Sequence, residues 1–301
     1  MSHPARYRSS GGGSRGRLFA RRAVALVVVG ACAVAFVFVV RLGLDRVDDS
    51  GSEAVPTPVA PPRPKPLRII FPEGFTRAEM AERITAVNEI AREKRGVDPR
   101  LNARSYLAAT AESPVATRFA RDGEKHSLEG FLFPATYQFS RRTTSRQLVL
   151  DQVKAFRRAW KQVDLSYARS KNLTPYDVLI IASMIEKEVI APEERALVAA
   201  VIYNRLREGM PLGIDATIRY ALDVPPTESL RVSHLEHPTP YNTRLHTGLP
   251  PGPIANPGVA SMQAAARPAK VDYLFFVRKP DKVHHFFTRS EQEFLDYQRQ
   301  N

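Results

Sequence analysis

The sequence predicts an α+β protein: a single transmembrane helix, a small strand-and-helix module, then a mixed α/β domain organised around a buried helix. Three observations predict it. Residues 23–40 form an unbroken apolar run behind an arginine-rich start, residues 56–66 hold six prolines, and residues 178–185 carry only one polar side chain, Ser183.

The first 22 residues contain six arginines (Arg6, Arg8, Arg15, Arg17, Arg21 and Arg22) and no acid. The 18 apolar residues that follow reach roughly 27 Å as a helix, about the thickness of a hydrocarbon core. The positive-inside bias assigns residues 1–22 to the cytoplasm and everything after Arg41 to the outer side of the membrane. The run is longer than the core of a cleaved signal, and no cleavage site follows it. Cys32, the only cysteine, stands in VGAC, loosely like a lipidation box, yet apolar residues continue beyond it. A lone cysteine also excludes an intramolecular disulfide, so the outer domain depends on its own core.

Residues 41–66 hold four acids and then the prolines, which makes them a solvated, semi-stiff linker. Of the formal charge of +13, six units lie in the tail, so the outer part remains basic and suits an anionic lipid surface or wall polymer. Zinc spacings, a P-loop and a dinucleotide fingerprint are all absent from the sequence. No cofactor, metal or nucleic acid is expected.

Residues 67–125 read as the small module. A short apolar run at 67–71 gives a strand, Pro72-Glu73-Gly74 a turn, and Thr76 with Glu79 a capping box for a helix to about Glu93. A second short helix is expected near Asp98 and Pro99, and residues 101–127 show little periodicity. Residues 126–301 read as the main domain. It opens with LEGFLFPATYQF, residues 128–139, dense in aromatic residues; they either line a groove for sugar rings or form a buried strand. From Thr144, the helical spacing of Val149, Val153, Phe156, Trp160 and Val163 gives an amphipathic helix with Trp160 in the core.

Thr174, Pro175 and Asp177 start the central helix: a hydroxyl N-cap, a proline at the first position and an acid in the first turn. At about 100° per residue, Glu186 falls on the face of Leu179, Ala182, Val189 and Ile190, and Glu188 falls on the other. Aliphatic neighbours would desolvate Glu186 and raise its pKa toward that of a general acid. The residues equally allow a solvated helix end with Lys187 as neutraliser. A second helix is expected from Glu193 to Glu208, closed by Gly209. Beyond it lie Asp215, Thr217 and Tyr220, then residues 241–258 with three glycines and four prolines, a fixed irregular loop of the kind that carries binding groups. A hairpin with His284 and a short last helix complete the chain.

One carboxylic acid acting without metal or cofactor suits cleavage of a glycosidic bond, which begins by protonating the leaving oxygen. Hydrolysis requires a second carboxylate, and Asp215 is the tempting partner. A lytic reaction does not require one, because the 6-hydroxyl of a muramyl sugar can attack its own anomeric carbon.

The stretches LEGFLFPATY, IASMIEKE, YNRLREGMPL, IDATIRY, YNT, GLPPGPIANPG and HHF, in this order, resemble the endolytic murein transglycosylase family MltG, also called YceG-like. The resemblance runs from about Leu67 to the end. It implies a LysM-like subdomain at 67–125, a transglycosylase domain at 126–301 and Glu186 as the catalytic residue. It also implies peptidoglycan glycan strands as substrate, cut between N-acetylmuramic acid and N-acetylglucosamine to leave a 1,6-anhydro end. Peptidoglycan synthases are the implied partners, and the bacterial inner membrane the implied site, with the outer domain periplasmic. Asp215, Thr217, Tyr220, Tyr241, Asn242 and His284 are the expected substrate contacts. Ala135, Gly213 and Ala216 depart from the family pattern, as does the histidine-free segment Glu291-Gln292-Glu293-Phe294. A non-catalytic wall-binding scaffold and a hydrolysing muramidase remain as rivals.

Overall fold

The computed structural model describes residues 66–120 and 122–301. The expected tail, transmembrane helix, linker (but for Pro66) and Cys32 lie outside the described residues. Among those described, no helix is long and apolar enough to cross a membrane. The described part is α+β, as expected: helices around two separate two-stranded antiparallel sheets.

Strand β1 (Leu67–Ile70) leads through the Pro72-Glu73-Gly74 turn into helix α1 (Arg77–Arg95). The capping box forms: the Glu79 amide donates to Thr76 Oγ1 at 3.1 Å, and the Thr76 amide donates to Glu79 Oε2 at 2.6 Å. Gly96 ends the helix at φ +59°, a conformation in which a side chain is strained. No helix begins at Asp98, which instead accepts from Arg92 Nε at 2.7 Å. Helices α2 (Ala103–Ala111), capped by Asn102, and α3 (Pro114–Ala120) fill the stretch that showed little periodicity. They are short, and only Tyr106 and Thr110 on the first and Ala116 and Ala120 on the second are buried, too few apolar positions to print a period.

Within residues 128–139 only Thr136–Phe139 is a strand, β2. Leu128, Phe131 and Leu132 turn into the core, so this end of the segment packs and does not line an open groove. Gly130, at φ +84°, sits against Pro253 and Leu179, leaving no room for a Cβ. Strand β2 pairs antiparallel with β1, Leu67 opposite Phe139 and Ile70 opposite Thr136. This sheet joins residues on both sides of position 125, and the chain from 64 onward is one compact unit.

Helix α4 (Ser145–Trp160) buries Leu148, Val149, Val153 and Phe156, with Trp160 packed on Phe119 at 5.2 Å between ring centroids. After the short α5 (Ser166–Ser170) comes the central helix α6 (Pro175–Glu188), whose residues from Val178 to Ile185 are all buried. Its large aliphatic side chains stabilise the fold by about 2 kcal/mol each on leaving water. A 3₁₀ turn (Pro192–Glu194) and α7 (Arg195–Glu208) follow, ending at Gly209. Then come α8 (Asp215–Leu222), α9 (Val232–Leu235), and the alanine-rich α10 (Val259–Ala266), which packs against α6 and α7. The hairpin β3 (Phe275–Arg278) and β4 (His285–Thr288) is covered by α11 (Glu291–Gln300), with Phe286 stacked on Tyr297.

Candidate active site

Helix α6 is tied to the loop that follows it by the buried hydroxyl of Ser183. Ser183 Oγ donates to the Ile180 carbonyl at 2.7 Å and accepts from the Ile254 amide at 3.0 Å, which pins the proline- and glycine-rich loop to the helix. One turn later, the carboxylate of Glu186 meets the end of that loop. The Gly258 amide donates to Glu186 Oε2 at 3.0 Å. Gly258 is the N-cap of α10, so the carboxylate faces the end of a helix whose unpaired amides favour an anion. Among the described residues, Glu186 Oε1 carries no hydrogen bond.

The other wall is the Pro72-Glu73-Gly74 turn. A Cβ placed on Gly74 would lie 3.5 Å from Glu186 Cγ, and Lys187 Nζ donates to the Gly74 carbonyl at 3.3 Å. Turn and loop are laced together by two backbone bonds of 3.0 Å, Gly74 amide to Asn256 carbonyl and Asn256 amide to Phe75 carbonyl. Glu73 brings a second carboxylate. It lies so close to Gly258 that a Cβ there would overlap it. Partial burial raises the Glu73 pKa, the Glu186 charge adds to the rise, and Arg195 opposes it. In the sequence this residue was legible only as part of a turn.

The side chain of Glu186 is less buried than its helical face suggested. The residue is half-buried and open on one side, because its face of the helix runs out at Val189 and the chain leaves with Ile190 exposed. Burial raises the Glu188 pKa, countered by Arg278, whose guanidinium also donates to the Glu188 carbonyl at 3.0 Å.

A third carboxylate, Glu129, lies wholly inside. Burial pushes it up to about 7 against hydrogen bonds that favour its charged form. The Arg77 amide donates to both its oxygens at 3.1 Å, Asn256 Nδ2 to Oε1 at 2.7 Å and the Tyr220 hydroxyl to Oε2 at 3.3 Å. A lone acid inside LEGFLFP was the available signal, since an apolar run holds an unpaired charge only at high cost.

Of the expected contacts, Tyr220 and Tyr241 do come together, half-buried with ring centroids 5.3 Å apart. Asp215 is paired with Arg244 at 2.7 Å. Thr217 and Asn242 are fully buried. Thr217 Oγ1 donates to the Ile214 carbonyl, and Asn242 Nδ2 donates to the carbonyls of Leu235 and His237, so both hold the backbone. His284 is bound by Asp281 at 2.9 Å in the hairpin turn. Its neighbour His285 is the buried one, with Nδ1 2.6 Å from Glu194.

The comparisons with known proteins agree with this architecture. The family model described as "YceG-like family" matches residues 52–300. The chain is 40% identical over 155 residues to the endolytic murein transglycosylase of Bacillus subtilis (strain 168), covering 52% of this chain and 43% of that protein. It is 29% identical over 253 residues to the endolytic murein transglycosylase of Streptococcus pneumoniae (strain R6), covering 77% of this chain and 44% of that protein. The chain thus spans less than half the length of the curated relatives it matches. Its fold is similar to the 2.6 Å crystal structure of a yceG-like protein from Listeria monocytogenes, at a TM-score of 0.65 and 29% identity, covering 78% of this chain and 76% of that one. With a match that takes in every residue of the site described above, the chain belongs to the YceG-like family.

Proposed function

We propose that this chain is a lytic transglycosylase that cuts peptidoglycan glycan strands, with Glu186 as the single acid and base. The observation that carries the reading is the setting of that carboxyl: one oxygen held by the Gly258 amide, the other without a hydrogen bond at the open side of the site. In the reaction, the proton on the open oxygen passes to the oxygen linking N-acetylmuramic acid to N-acetylglucosamine, and the bond from the anomeric carbon to that oxygen breaks. The carboxylate so formed takes the proton from the 6-hydroxyl of the muramyl sugar, whose oxygen closes on the anomeric carbon. The product is a 1,6-anhydro end, no water is consumed, and Glu186 is protonated again. Tyr220 and Tyr241 offer paired aromatic faces on which sugar rings pack.

The names of the relatives support the substrate class, and the arginine-rich start and apolar run support the placement. Residues 1–22 lie in the cytoplasm, 23–40 cross the inner membrane, and the site faces nascent strands beside the peptidoglycan synthases, where cutting limits strand growth. A second reading is favoured by one observation, the Glu73 carboxylate beside Glu186. Two carboxylates suffice for hydrolysis, with Glu73 and not the Arg244-bound Asp215 as the partner. Incubating the full chain with uncrosslinked glycan and weighing the products separates these. Anhydro ends, lighter by one water than reducing ends and lost in Glu186→Gln, are expected. Reducing ends would establish hydrolysis, and strands of unchanged length would leave only a binding protein.

A further inference from the structure

We infer that Glu129 is a positioning residue for the reaction at Glu186, holding the Asn256–Gly258 segment in the place from which Gly258 reaches the carboxylate. The inference rests on the transglycosylase reading for its kinetic readout and on geometry for the rest. Asn256 is the joint. Its Oδ1 accepts from the Leu132 amide at 2.8 Å, and its Nδ2 donates to the Phe75 carbonyl at 2.8 Å and to Glu129 Oε1 at 2.7 Å. Two residues later, Gly258 donates to Glu186. Glu129 Oε2 meanwhile receives the Tyr220 hydroxyl, and Tyr220 packs on Tyr241. One buried carboxylate therefore ties the loop that orients the reacting acid to the aromatic pair expected under the sugar.

Every group that reaches Glu129 is a donor: the Arg77 and Asn256 N–H groups and the Tyr220 hydroxyl. A carboxylate satisfies all of them. A protonated carboxyl has to point its own O–H at one of these donors and so breaks a bond. The charged form is thus the one the site is built around. The charged and titratable groups facing it are Arg77 from α1, Tyr106 from α2, Tyr220 from α8 and Tyr241 from the loop. Arg77 favours the charge, and Tyr106, Tyr220 and Tyr241 titrate far above neutrality. Glu129 is left as the one among them whose protonation falls near pH 7.

The test compares the full chain with Glu129→Gln in kcat and KM across pH, beside hydrogen exchange at the peptide carrying Gly258. The expected result is a fall in kcat of about 10- to 100-fold, a KM within about twofold, and loss of one ionisation near neutrality from the acid limb of the kcat profile. Protection at Gly258 should fall with it. Tyr220→Phe removes a bond to the charged form and should move the same limb to higher pH, which keeps the test available if the glutamine variant does not fold. Unchanged kcat, an unchanged limb or unchanged Gly258 protection would overturn the inference. Should Glu186→Gln remain active, the transglycosylase reading falls, but Gly258 exchange still decides whether Glu129 holds the loop.

Discussion

The Gly258 amide and the Glu186 carboxylate, 72 residues apart in the chain, meet at 3.0 Å. The same glycine backs onto Glu73, so the two carboxylates flank one residue that has no side chain. This arrangement fixes what substitutions there will do.

Gly258→Ala should displace either the loop or Glu73, because its Cβ has no space. The expected cost is about 1–3 kcal/mol of stability, with a fall in activity of about 10-fold or more as the amide leaves Glu186. Melting curves and product yield measure the two. Adding Glu73→Ala should return most of the stability, and failure to do so would show that the clash lies elsewhere.

Glu73 is raised first by burial and then by the charge on Glu186. Removing that charge in Glu186→Gln should move the Glu73 titration down toward an ordinary carboxylate. Carboxyl carbon chemical shifts followed against pH in the two proteins test this. An unmoved titration would mean that the pair is not coupled.

Glu129 also leaves a mark on stability. Its folded pKa of about 7 lies above the ordinary 4.5, so its contribution to stability is fully present below pH 4.5 and is lost as pH rises through about 7. The loss is about 3 kcal/mol if burial persists. Denaturation of Glu129→Gln between pH 4 and 8 should lack this slope, and an identical slope in both proteins would refute the assignment. The charge that the site uses is a charge the fold tolerates at a cost.

His285 and Glu194 form a buried pair, with the His285 amide donating to Glu194 Oε1 at 2.9 Å and the ring nitrogen 2.6 Å from Oε2. Glu194→Ala should destabilise the hairpin's attachment by about 3 kcal/mol. Thermal melting checks this, and a shift of under a degree would show that the pair contributes little.

The elements with strong local rules were legible in the sequence. Thr76 with Glu79, Thr174 with Asp177, and the glycine at 209 mark helix ends by chemistry that acts within four residues. Glu186 was legible because an acid ended an apolar helix. What surrounds it was not, because Glu73, Glu129 and Asn256 come from three distant segments and no local period connects them. The partners of Thr217 and Asn242 were illegible for the same reason: these polar residues of an irregular stretch satisfy backbone carbonyls that only the fold brings to them. Burial of Glu186 was overestimated because helical phase locates a face and not where its neighbours stop.

Asn256 reaches partners 124, 127 and 181 positions earlier in the chain. Such long closures are among the last and slowest to form. A polypeptide still emerging from the ribosome can build the α6 helix, yet it has no means of bringing an amide to Glu186 until residue 258 has been made. Under the function proposed above, chain order alone thus sets a delay before the first cut.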